Sequence, residues 1–134
     1  MIITPLKNAL QSLNVALKRA EQLPEDLEIR DACIQRFEYS YELSIKMIKR
    51  YLENEMPIPE PVDQLNYRDL LRIAFEIGLI QDVSDWFQYR EARNQTSHAY
   101  DELKAQAVYA VIPAFYVQAQ YLTLQLENQL GISS

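Results

Sequence analysis

Ile34-Gln35-Arg36-Phe37-Glu38-Tyr39-Ser40-Tyr41-Glu42-Leu43-Ser44-Ile45-Lys46-Met47-Ile48-Lys49-Arg50-Tyr51-Leu52 is the stretch that decides the fold. Ile34, Phe37, Tyr41, Ile45, Ile48 and Leu52 recur at steps of three and four, which puts them on one stripe of an α-helix and on no single face of a strand. Upstream, the acidic pair Glu25-Asp26 suits the positive end of a helix, so this one is expected over about residues 25 to 54. Lys46, Lys49 and Arg50 then gather toward its negative end.

The same period continues outward on both sides. Leu6, Leu10, Leu13, Leu17 and Ala20 predict a first helix over about residues 5 to 22, closed by Pro24. After the long helix, Pro57, Pro59 and Pro61 remove three backbone donors and bias the residues between them to an extended connector. Asn66, with Asp69 three residues on, is a cap for a short helix carrying Leu70, Leu71, Ala74 and Phe75, and Gly78 supplies its left-handed stop. Asp82 and Asp85 open a fourth helix through Trp86, Phe87, Tyr89 and Arg90 toward Arg93. A last helix from about Asp101 to Gly131 has Leu103, Ala107, Ala110, Ala114, Val117, Tyr121 and Leu124 at steps of three and four, with a kink expected at Pro113. Its small residues would let a second helix approach closely, within the bundle or across a dimer. The expected architecture is all-α, an up-down four-helix bundle with an additional short helix, in a single domain over residues 1–134.

Composition narrows the function classes. Glycine is scarce, at 2 of 134 residues, and both fall where helix ends need them, so no glycine-rich loop is left to cradle a nucleotide. The formal net charge of -6 argues against a generic nucleic-acid binder with a basic stripe. One His and one Cys cannot build a His/Cys zinc site, and no acidic cluster has a metal-loop spacing, so neither metal nor cofactor is expected. Cys33 has no intrachain partner, which fits a reducing cytoplasm. No signal peptide or membrane span is expected, because the longest mostly apolar run, Ala105 to Val117, is too short.

The chemistry concentrates in Arg93-Asn94-Gln95-Thr96-Ser97-His98-Ala99-Tyr100, which contains the only histidine. Histidine exchanges protons near neutral pH, and arginine carries a permanent planar fork matched to phosphate. Together they have the means to hold or cleave a phosphodiester. On one continuous helix the two would point about 140° apart, so convergence requires that the helix end near Asn94 to Ser97 and turn. The bland alternative is that His98 bonds to Asp101 or Glu102 and Arg93 is a surface ion pair. Tyr100 then reads as a half-buried rim aromatic, one of nine tyrosines.

This spacing resembles the signature of HEPN-domain proteins. Arg30 through Leu43 and the segment from Asp85-Trp86 to Asp101-Glu102 are similar to helices of one HEPN branch, the nucleotidyltransferase substrate-binding proteins, over nearly the whole chain. The resemblance implies that Arg93 and His98 are a catalytic pair, with Asn94 as the supporting polar neighbour. It further implies that Tyr100 is an acceptor for adenylylation by a separate minimal nucleotidyltransferase antitoxin chain. A metal-independent endoribonuclease of a toxin-antitoxin pair is the activity so implied, with RNA as substrate. A homodimer is expected because one histidine per chain is too few for acid-base catalysis in two steps. Two other readings stay open: a non-catalytic substrate-binding subunit of a two-chain nucleotidyltransferase, and a helical dimerisation domain without a site.

Overall fold

In the computed structural model, residues 1–56 and 58–131 are described, and Pro57 of the expected proline connector lies outside them. Each helix begins and ends for a local reason. Helix α1 covers Thr4–Gln22, with Pro5 in its first turn, where a missing N–H costs nothing. Asp26 caps α2, Leu27–Glu55, by accepting from the backbone N–H groups of Glu28 at 3.0 Å and Ile29 at 3.2 Å. A short 3-10 turn, Val62–Gln64, leads to α3, Tyr67–Glu76, capped by Asn66 through the Asp69 N–H at 2.8 Å. Gly78, at φ +86°, reverses the chain after α3. Asp82 caps α4, Val83–Gln95, and Asp101 caps α5, Glu102–Leu130, each by bonding the N–H three residues on.

Helices α1, α2, α4 and α5 form the up-down bundle, with α3 laid against α4. Phe115 of α5 sits at its centre, with ring centroids 5.0 Å from Phe37, 5.4 Å from Tyr89 and 5.9 Å from Trp86, all edge to face. Cys33 is fully buried in the same core.

Three side-chain expectations change. The face of α5 that packs inward is Ala105, Val108, Ile112, Phe115, Ala119, Leu122 and Leu126. The stripe read from the sequence points outward instead, with Leu103 77% exposed, Val117 65% and Leu124 52%. The helix carries two apolar faces, and periodicity does not say which one the core takes. Phe75 likewise lies on the outside of α3, 49% exposed. Finally, α2 continues to Glu55 and has no basic residue in its last turn, so Lys46, Lys49 and Arg50 do not cap its negative end. Lys46 and Lys49 face a cleft against α4.

Candidate functional site

The junction between α4 and α5 is built by Thr96. Helix α4 closes at Gln95, and a 3-10 turn over Thr96–His98 carries the chain to the Asp101 cap. The buried Thr96 hydroxyl donates to the Arg93 carbonyl at 2.8 Å, satisfying a helix-end acceptor, and receives the Arg93 Nη1 at 3.5 Å. The early end of α4, which convergence of Arg93 and His98 required, is thus present.

Arg93 is held from α2. Its Nε donates to Glu42 Oε1 at 2.9 Å, its Nη2 contacts the same oxygen, and Glu38 Oε1 lies 3.6 Å from Nη2. The hydrogen bond to Glu42 holds the guanidinium above its ordinary pKa, with partial burial opposing and the charges of Glu42 and Glu38 adding. This is the ion pair of the bland alternative. Neither glutamate stands out as a site residue in the sequence. They lie on α2 four residues apart, one helical turn, but 51 and 55 positions before Arg93.

The four candidate residues divide into two pairs. Arg93 and the exposed Asn94 share a cleft of about 420 Å³ between α2 and α4, together with Tyr41, Glu42, Ile45, Lys46, Lys49, Tyr67 and Arg90. His98 and Tyr100 meet ring edge to ring face, with centroids 6.1 Å apart. Tyr100 is 85% exposed and borders a second cleft of about 280 Å³, against Asp31, Gln35 and Glu38. His98 is half-buried, and among the described residues its ring makes no hydrogen bond to Asp101 or Glu102. Glu102 is instead engaged by Arg30 at 2.5 Å, which ties the start of α2 to the start of α5 and holds the Glu102 carboxyl below its usual pKa.

The floor of the larger cleft is also polar. The Tyr41 and Tyr67 hydroxyls are 2.5 Å apart, Tyr67 donates onward to the Trp86 carbonyl at 3.2 Å, and the Arg90 guanidinium stacks 4.4 Å from the Tyr67 ring centroid. Burial pushes the Tyr67 hydroxyl up to about 12 and raises Tyr41 as well, so both stay neutral donors at physiological pH. Among the described residues no three His, Cys, Asp or Glu side chains are grouped as a metal site, and no helix is long and apolar enough to cross a membrane.

Comparison with known proteins places this geometry among relatives. Residues 2–128 match the family described as nucleotidyltransferase substrate binding protein like. A curated Haemophilus influenzae protein, "Probable ribonuclease HepT", is 45% identical over 96 residues, which span 72% of this chain and 66% of that protein. A solved Haemophilus influenzae structure is described as the fold of a substrate binding domain of a nucleotidyltransferase. It superposes with a TM-score of 0.87 at 35% identity, covering 94% of this chain and 99% of the other. A Thermus thermophilus crystal structure superposes with a TM-score of 0.74 at 26% identity, covering 90% and 98%.

Proposed function

Since the chain belongs to the nucleotidyltransferase substrate-binding protein family, within the HEPN proteins, we propose that it is a HEPN toxin-type endoribonuclease controlled by a separate minimal nucleotidyltransferase chain. The observation that carries the reading is the junction at Thr96, which ends α4 between Arg93, a phosphate-matched fork, and His98, a proton carrier whose ring makes no hydrogen bond among the described residues. The identity to a protein named as a ribonuclease supports it.

In the proposed reaction one His98 imidazole takes the proton of a ribose 2'-hydroxyl. The 2'-oxygen attacks the adjacent phosphorus, and the bond to the 5'-oxygen breaks. A second imidazole, from another copy of the chain, protonates that leaving oxygen, and the product is a 2',3'-cyclic phosphate with a free 5'-hydroxyl. Arg93 neutralises the phosphorane charge, Asn94 orients the phosphate, and no metal takes part. The exposed apolar face of α5 supports the second copy, since Leu103 begins that face two residues after the Asp101 cap that follows the site. AMP transferred to the Tyr100 hydroxyl would set a phosphate beside His98 and silence the site.

The grip of Glu42 and Glu38 on Arg93 favours one alternative, a non-catalytic substrate-binding subunit in which Arg93 is structural. The deciding experiment is an RNA cleavage assay on the purified protein without a nucleotidyltransferase. Cleavage that persists in EDTA and disappears in both His98→Ala and Arg93→Ala, with melting nearly unchanged in His98→Ala, is the expected outcome. An inactive wild-type protein gives the result to the alternative, and full activity in His98→Ala excludes the proposed mechanism.

A further inference from the structure

The cleft between α2 and α4 contradicts the charge of the chain as a whole. In a protein of formal charge -6, its wall holds four cations, Lys46, Lys49, Arg90 and Arg93, and one carboxylate, Glu42. That carboxylate is already engaged by Arg93. Lys46 and Lys49 are exposed, and among the described residues neither they nor Arg90 has an acidic side chain within ion-pair distance. Unpaired cations brought together repel one another, so this arrangement costs stability unless an anion joins it.

Spacing gives the cations a direction. On α2, Glu42, Lys46 and Lys49 follow at four and three residues, and on α4, Arg90, Arg93 and Asn94 follow at three and four from Arg90, so each set lies along one side of its helix. Lys46 and Lys49 are about 4.5 Å apart along the α2 axis, and because Arg93 is bonded to Glu42, the run of cations from Arg93 to Lys49 extends roughly 10 Å at about 1.5 Å per residue, too long for one phosphate group and long enough for neighbouring ones. Arg90 is aimed by its stack on Tyr67, whose ring is fixed in turn by the bonds to Tyr41 and the Trp86 carbonyl.

We infer that this cleft is the track for the RNA strand flanking the scissile bond, with Lys46, Lys49 and Arg90 binding successive phosphates that lead to Arg93. The inference rests on the ribonuclease reading and names where its substrate lies. A single strand fits better than a duplex, because the cleft is confined between two helices and in-line attack by a 2'-hydroxyl needs a sugar free to leave helical geometry. The net negative surface elsewhere repels the strand from other paths, so local charge can steer it here.

The test uses full-length protein bearing His98→Ala, to prevent cleavage, and a fluorescein-labelled single-stranded RNA titrated by anisotropy over a range of salt concentrations. Each phosphate contact contributes about 0.7 to the slope of log affinity against log salt for a single strand. Adding Lys46→Ala and Lys49→Ala together should therefore lower the slope by about 1.4, and adding Arg90→Ala alone by about 0.7. Lys18→Ala, an exposed cation on α1, should leave it unchanged. An unchanged slope in the cleft variants, with RNA still bound, overturns the track and leaves the ribonuclease reading standing. Absence of RNA binding by the His98→Ala protein overturns both. Binding of ATP to the same protein that is lost with Lys46→Ala and Lys49→Ala, with RNA binding untouched, assigns the cations to a nucleotide and overturns the strand.

Discussion

Arg93 is occupied before any substrate arrives, since Glu42 takes its Nε and Nη2 and Glu38 stands close behind. A phosphate must displace a carboxylate to reach it. Exposed ion pairs are worth about 0.2–1 kcal/mol, so Glu42→Gln in the His98→Ala background should tighten RNA binding by up to about fivefold in an anisotropy titration. Weaker binding would instead make Glu42 a residue that aims the fork. Tyr100 raises the opposite issue, because nothing covers it. Tyr41, Tyr51 and Tyr89 are buried, whereas Tyr100 is 85% exposed and can enter another enzyme's site without unfolding. With a cognate nucleotidyltransferase and ATP, intact mass and peptide mapping should locate AMP on the Tyr100 peptide and none in Tyr100→Phe. Labelling on another tyrosine would remove Tyr100 from the proposal. At this scale Arg93, Asn94, His98 and Tyr100 were legible as a local string with a family likeness, while Glu38 and Glu42 were not, because a distant helix brings them.

Within α5, one helix serves two apolar faces. The stripe through Phe115 and the stripe through Val117 lie two residues apart, roughly 200° around the axis, so they look in nearly opposite directions. Both obey the helical period, and the sequence therefore revealed the helix without revealing its inner side. Their substitutions should separate cleanly. Phe115→Ala removes a ring packed on Phe37, Trp86 and Tyr89 and should cost about 3–5 kcal/mol in chemical denaturation. Val117→Asp should leave the helicity intact and convert a dimer to a monomer in light scattering, because it puts a charge on an exposed surface that only association would bury. A wild-type monomer at micromolar concentration would rule out the dimer. The helix starts were easier to read than the faces: Asn66 read as a cap and Asp26, Asp82 and Asp101 as helix openings, and each acts through an N–H two or three residues away, a relation contained in the local sequence.

For the whole molecule, the bundle was legible because every long helix announced its period and its ends, and nothing in the composition competed for strands. The basic cleft was not legible, since Lys46 and Arg90 become neighbours only when α2 and α4 are laid together. Lys46, Lys49 and Arg50 read in sequence as helix-terminal charges, but none of them falls in the last turn of α2, which ends at Glu55 close to where it was expected. The buried Cys33 has a use outside any RNA chemistry. Its thiol is fully enclosed and burial raises its pKa, so a thiol reagent can reach it only when the bundle opens. The chain therefore carries its own stopwatch for unfolding, readable in plain buffer with no denaturant and no engineered probe. Labelling of the native protein should be slower than that of the unfolded chain by the ratio of closed to open molecules. If two copies associate, the stopwatch should also slow as protein concentration rises, because mass action deepens the closed state. A labelling rate independent of concentration would mean that the molecules open singly.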